Sequence, residues 1–169
     1  MNRLFHANLV KIVDQFATKA ECLDYLVKML SDSGCLSFPD RFAAAVKGRE
    51  EIMSTGIGRE VAIPHARDLT VSNLRIAVVK IGKPLEFTSV DDKPVRLVFM
   101  IAVPQNSNQE YMKILRALSE FLRQDAKRAE ILSSQTEKEL FGYVHQIEDT
   151  ILEHLSADDS VKSGSDRGK

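Results

Sequence analysis

Apolar residues along this chain follow a helical period, then strand-like apolar runs, then a helical period again, and the changes outline its architecture. After Thr18 the positions Leu23, Leu26, Val27 and Leu30 recur at helical spacing up to Gly34, and Thr18 with Glu21 forms a T-x-x-E capping box ahead of them. Pro39 opens a second helical segment, "PDRFAAAVKGREEIM", with Phe42, Ala45, Val46 and Arg49 along one side and "STG" as its stop. The period then changes. "VAI", "LRIAVVKIG" and "PVRLVFMIAVP" are β-branched and apolar, with turn-rich stretches such as "VDDKP" between them, and they predict strands. The run from Val95 to Val103 is apolar on both faces except at Arg96, which predicts a central strand covered by helices on each side. Helical spacing returns with Tyr111, Ile114, Leu115, Leu118, Phe121 and Leu122. A second capping box, Thr136 and Glu139, precedes Leu140, Phe141, Val144 and Ile147, and this last helix is expected to reach roughly His154. The predicted fold is α/β, a mixed sheet flanked by helices on both faces. It forms one domain over residues 1–155, with 156–169 as a mobile polar tail.

Composition narrows the function classes. The chain has 169 residues, 44% of them apolar, enough for one domain with a substantial core. Lys and Arg total 23 against 24 for Asp and Glu, so no basic excess draws it to nucleic acid. No window approaches the roughly 18 apolar residues of a membrane span, and the N-terminus has no signal-like stretch, so a cytoplasmic protein without membrane insertion is expected. Cys22 and Cys35 form no CxxC pair and lie near no histidine; Cys22 falls among helical apolar positions and reads as core.

The chemistry concentrates in "STGIGREVAIPHARD", residues 54–68. Gly56 and Gly58 allow a sharp bend, while neither a P-loop nor a G-x-G-x-x-G pattern is present. Pro64 sets its own φ and biases Ile63 to extended geometry, so the strand is expected to end there and present His65 at a defined place. Such a histidine can be a metal ligand, a base, a phosphoryl acceptor or a packed side chain. His6, His145 and His154 are scattered, which disfavours a metal site, and no G-x-S-x-G elbow accompanies Ser54 or Thr55. A phosphoryl acceptor needs an accessible ring nitrogen, donors for the phosphoryl oxygens and a partner that fixes the tautomer. Arg49, Arg59, Arg67 and the glycine-rich backbone are candidates for the donors.

This stretch, preceded by "KGREE" and followed by "KPLEFTSVDDKPVRLVFMIAVP", resembles the fructose/mannitol-type enzyme IIA domain of the bacterial phosphoenolpyruvate-dependent phosphotransferase system, over about residues 5–150. The resemblance implies a mixed sheet flanked by helices. It also implies that His65 accepts a phosphoryl group from phospho-HPr and passes it on, with Arg49 at the phosphoryl site and no cofactor or metal. Ser54, Thr55, Gly56, Gly58, Arg67 and Tyr111 are the further candidates for touching the phosphoryl group or supporting residues that do. Two places depart from the pattern. Arg59 and Glu60 stand where the family usually has a small or amide residue followed by glycine, and Tyr111 stands where a second histidine is common. The family holds sugar-specific carriers, which phosphorylate a IIB domain, and nitrogen-type regulators, which bind target proteins according to phosphorylation state. The expected function is the carrier for fructose- or mannitol-like uptake. The regulator is the alternative, kept open because this sequence carries no fused IIB-like or membrane segment.

Overall fold

The computed structural model describes residues 3–107 and 109–164, and its first strand precedes the first predicted helix. A single 3-10 turn at Ala7–Leu9 leads into β1 (Val10–Val13), which pairs in parallel with β5 (Arg75–Leu85). The four residues "VKIV" thus form an edge strand. The first predicted helix is α1 (Lys19–Asp32): Thr18 Oγ1 accepts from the Glu21 amide at 3.1 Å and the Glu21 carboxylate accepts from the Ala17 amide at 2.7 Å. Gly34, at φ 84°, supplies the left-handed residue that turns the chain away. The second is α2 (Pro39–Ile52), with Pro39 in its first turn.

Three short strands follow, β2 (Gly56–Gly58), β3 (Val61–Ala62) and β4 (His65–Asp68), then β5 and β6 (Val95–Pro104). The helices α3 (Glu110–Leu122), α4 (Asp125–Ser133) and α5 (Glu137–Gly164) complete the described chain. The six-stranded sheet runs β1-β5-β6-β3-β2, with β4 also on β6. It is mixed, because β5 lies antiparallel to β6 while β3 and β4 lie parallel to it.

Alternation along β6 divides the core as expected of a strand between two helical layers. Val98, Met100 and Ala102 meet α1 and α2, whereas Leu97, Phe99, Ile101 and Val103 meet α3, α4 and α5. The paired strand β5 does the same, with Ala77, Val79 and Ile81 on the first side and Ile76 and Val78 on the second. Cys22 and Cys35 pack in the α1–α2 layer; burial, with a smaller push from Glu21, raises the Cys22 thiol to about 12.

Two expectations need correction. Pro64 interrupts the strand without ending its pairing: β3 lies opposite Leu97 and Val98, β4 opposite Ile101 to Pro104, and the Pro64 carbonyl still accepts from the Ile101 amide at 2.9 Å. A proline lacks only the donor, so one edge of β6 can hold both segments. The last helix also continues past His154, and residues 156–164 are helical where composition predicted a mobile tail; residues 165–169 lie outside the described residues. Leu155 is the last buried apolar residue among those whose side chains are described, and each residue that lengthens the helix costs little because an existing helix propagates easily. The Ser156 hydroxyl donates to the Leu152 carbonyl at 3.0 Å, and Asp158 lies 3.8 Å from Lys113 of α3.

Candidate functional site

β4 is four residues long and carries its polar side chains by alternation. Ala66 and Asp68 are buried, while His65 is half-buried and Arg67 exposed, on the face shared with Ile101 and Val103. His65 and Arg67 therefore look toward the α3 side of the sheet. The imidazole Nδ1 lies 2.9 Å from the Ile63 carbonyl. A carbonyl can only accept, so Nδ1 carries a proton, and in the neutral tautomer this selects, the lone pair belongs to Nε2. Two residues on, the Arg67 guanidinium sits over the Tyr111 ring at 5.7 Å, and Tyr111 packs half-buried against the α3–α5 layer. The structure thus brings His65, Arg67 and Tyr111 to one face.

Arg49 occupies the last turn of α2, and its Nη1 donates to the Met53 carbonyl at 2.8 Å. This bond satisfies a carbonyl just past the helix end and holds the chain where it enters the turn.

The glycine turn is bound from within. Ser54 Oγ donates to the Phe87 carbonyl at 2.8 Å and accepts from the Gly56 amide at 3.1 Å. Thr55 gives its amide and its hydroxyl to the Glu50 carboxylate, at 2.8 and 2.6 Å. The amides of Thr55 and Gly56 are engaged in shaping the turn, which differs from the expected role as free donors for an anion. Gly56 is required by close approach: a Cβ there would meet Ser89 Oγ at 2.3 Å and its Cα at 2.9 Å. Gly58, at φ 89°, begins the hairpin turn between β2 and β3 beside Asp91. The Arg59 guanidinium donates to the Arg123 carbonyl at the end of α3 and lies 3.5 Å from Asp125.

Sequence reasoning passed over Glu50 and Asp68. Glu50 is buried and pairs with Lys19 at 2.7 Å. Burial opposes the charge on Asp68, but the Thr70 amide at 2.9 Å and the Arg41 guanidinium at 3.3 Å outweigh it and hold the carboxyl below its usual range. The available signal for Glu50 was its place beside Arg49 in "KGREE", and for Asp68 the alternation that turns it inward. Among the described residues no three His, Cys, Asp or Glu side chains converge as a metal site would need, and no helix is long and apolar enough to cross a membrane.

Known proteins share this architecture. Residues 3–147 match the family described as "Phosphoenolpyruvate-dependent sugar phosphotransferase system, EIIA 2". The "PTS system fructose-specific EIIA component" of Haloferax volcanii is 31% identical over 130 residues, which cover 77% of this chain and 84% of that protein. The "PTS system fructose-specific EIIABC component" of Bacillus subtilis is 30% identical over 146 residues, 86% of this chain, although the chain spans only 23% of that longer protein. Among solved structures, the nitrogen regulatory protein IIA-Ntr of Neisseria meningitidis superposes with a TM-score of 0.75 at 26% identity, covering 83% of this chain and 95% of that one. The chain belongs to the EIIA type-2 family of the phosphoenolpyruvate-dependent sugar phosphotransferase system.

Proposed function

We propose that this protein is a cytoplasmic phosphocarrier in which Nε2 of His65 accepts a phosphoryl group from phospho-HPr and passes it to a IIB domain, serving uptake of a fructose- or mannitol-like sugar. The observation that carries this reading is the 2.9 Å bond from Nδ1 to the Ile63 carbonyl, which leaves the Nε2 lone pair as the nucleophile. As Nε2 forms its bond to phosphorus, the bond from phosphorus to the donor breaks and its electron pair leaves with the donor. The ring gains positive charge, and the Nδ1–H bond to the carbonyl strengthens as that charge appears. Arg67, on the same face, would meet the phosphoryl oxygens, and Arg49 would join them by swinging from the Met53 carbonyl. Tyr111 would offer a hydroxyl where the family pattern commonly has a second histidine. Ser54, Thr55, Gly56 and Gly58 shape the turn beneath.

A protein partner is supported by exposed apolar side chains near these residues: Ile52, Met53, Ile57 and Val90 about the turn, and Met112 next to Tyr111. The test is incubation with phosphoenolpyruvate, enzyme I and HPr, which should add an acid-labile, base-stable phosphoryl mass that His65→Ala abolishes. A label that persists in the alanine variant would place the phosphoryl group on another residue.

The likeness to a nitrogen regulatory IIA protein favours a second reading, in which a nitrogen-branch paralogue of HPr is the donor and the phosphorylation state governs binding to a target protein. Adding a fructose-type IIB domain separates the two: a carrier loses its label to IIB, and a regulator retains it.

A further inference from the structure

We infer that Glu50 is a positioning residue for His65, acting through Thr55 and Ile63. This rests on the reading of His65 as the phosphoryl acceptor. The chain of bonds is continuous. Glu50 Oε1 accepts from the Thr55 amide at 2.8 Å, Oε2 accepts from the Thr55 hydroxyl at 2.6 Å, and Lys19 Nζ lies 2.7 Å from Oε1. Lys19 is itself held by the Phe87 carbonyl at 3.1 Å and by the face of the Phe87 ring at 4.3 Å. Thr55, fixed by two bonds, presents its carbonyl to the Ile63 amide at 3.0 Å, and the Ile63 carbonyl accepts from His65 Nδ1. Ile63 is thus clamped at its N–H by the turn and clamps the imidazole with its C=O. Pro64, whose φ is locked, is the only residue between Ile63 and His65.

Energetics favour a positioning role over a purely stabilising one. Glu50 is only 8% exposed and sits in the last turn of α2, where the helix dipole disfavours a negative charge. A buried ion pair contributes little net stability compared with apolar side chains of similar volume. What this carboxylate supplies, and an apolar side chain does not, is a pair of directed acceptors that fix both polar groups of Thr55. Partners of this kind, one step removed from a reacting imidazole, set its tautomer and ring orientation.

The experiment reads the imidazole directly. Long-range nitrogen–proton NMR of uniformly 15N-labelled full-length protein should show His65 predominantly as the Nδ1–H tautomer. Glu50→Leu should move it toward Nε2–H, the form an unconstrained imidazole prefers, and lower kcat for phosphorylation by phospho-HPr about tenfold with little change in KM. Glu50→Gln keeps an acceptor for the Thr55 amide and a donor for its hydroxyl, so it should restore the tautomer and return the rate to within about threefold of the parent. Should Glu50→Leu fail to fold, Thr55→Val removes one of the two bonds to Glu50 and should produce a smaller change of the same kind. A His65 tautomer unchanged in a folded Glu50→Leu protein, or in Thr55→Val where it stands in, overturns the positioning role whatever the rates. Equal rate losses in the Leu and Gln variants overturn it as well. A parent protein that takes up no phosphoryl group overturns the carrier reading instead, and leaves the imidazole measurement standing.

Discussion

β6 and β4 lie side by side and parallel, and they use alternation for opposite ends. β6 is buried at every position except Arg96 and Pro104, because helices cover the sheet on both sides of it. β4 buries Ala66 and Asp68 and leaves His65 and Arg67 accessible on the other side. A long strand that must satisfy two helical layers has no position free for reactive chemistry. A short one at the border, with one face open, has two. The neighbour lends rigidity: the register His65 to Ile101 and Arg67 to Val103 seats both polar side chains against residues that cannot move without disturbing the core.

Substitutions can test that division. The largest effect is expected in β6, where Phe99→Ala should cost about 3–5 kcal/mol in denaturant unfolding through lost burial and the cavity left behind. The residual folded protein should still accept phosphoryl, and a parent-like midpoint would remove β6 as the rigid partner. Arg49→Lys comes next, with about a 10²-fold loss in phosphorylation rate and an unchanged fold, the scale of losing one electrostatic donor. Unchanged kinetics would confine Arg49 to holding the Met53 carbonyl.

Asp68 sharpens the contrast within β4 itself, since its buried carboxylate belongs to the fold. Its folded pKa is depressed, so its contribution is present above the ordinary aspartate value of about 4 and is lost as the pH falls through the lowered folded value. Asp68→Asn should cost about 1.5–3 kcal/mol at neutral pH, and the gap to the parent should close in acid. A gap that stays constant from pH 7 down to pH 2 would deny the charge its role. The smallest effect is expected at Tyr111→Phe, no more than about tenfold in transfer rate, the equivalent of roughly 1.4 kcal/mol. Complete loss of transfer with stability intact would raise Tyr111 to the rank of the arginines.

What could be read before folding follows the same division. Both capping boxes and the doubly covered strand are local in origin, since each depends on residues a few positions apart, and they are found where the pattern puts them. β1 was passed over because four residues carry little periodic signal, and only pairing with β5 makes them a strand. α4 was missed for a related reason, as nine residues with Ile131 alone fully buried look like a polar loop. The extension of α5 escaped because composition measures the cost of ordering a free segment, not of lengthening a helix already packed. Glu50 reads in the sequence as one more charge on a charged helix end. Its importance comes from Lys19, thirty-one positions earlier, and from a turn that folds back on it.

The hairpin turn at Arg59 and Glu60 has φ of 57° and 66°, left-handed values at both central positions that these residue types adopt at a cost of about 1–2 kcal/mol each. Bonds that leave the hairpin offset this. The Arg59 amide donates to Asp91 at 2.9 Å, the Glu60 carbonyl accepts from the Arg96 and Leu97 amides, and the Arg59 guanidinium closes on the Arg123 carbonyl and on Asp125 at the α3–α4 corner. In local-unfolding terms, the bridge ties the hairpin to that corner through an exposed contact, so opening either one must also break it. The hairpin that presents Ile57 at the surface is thereby fastened to the far end of the helix whose first turn carries Tyr111.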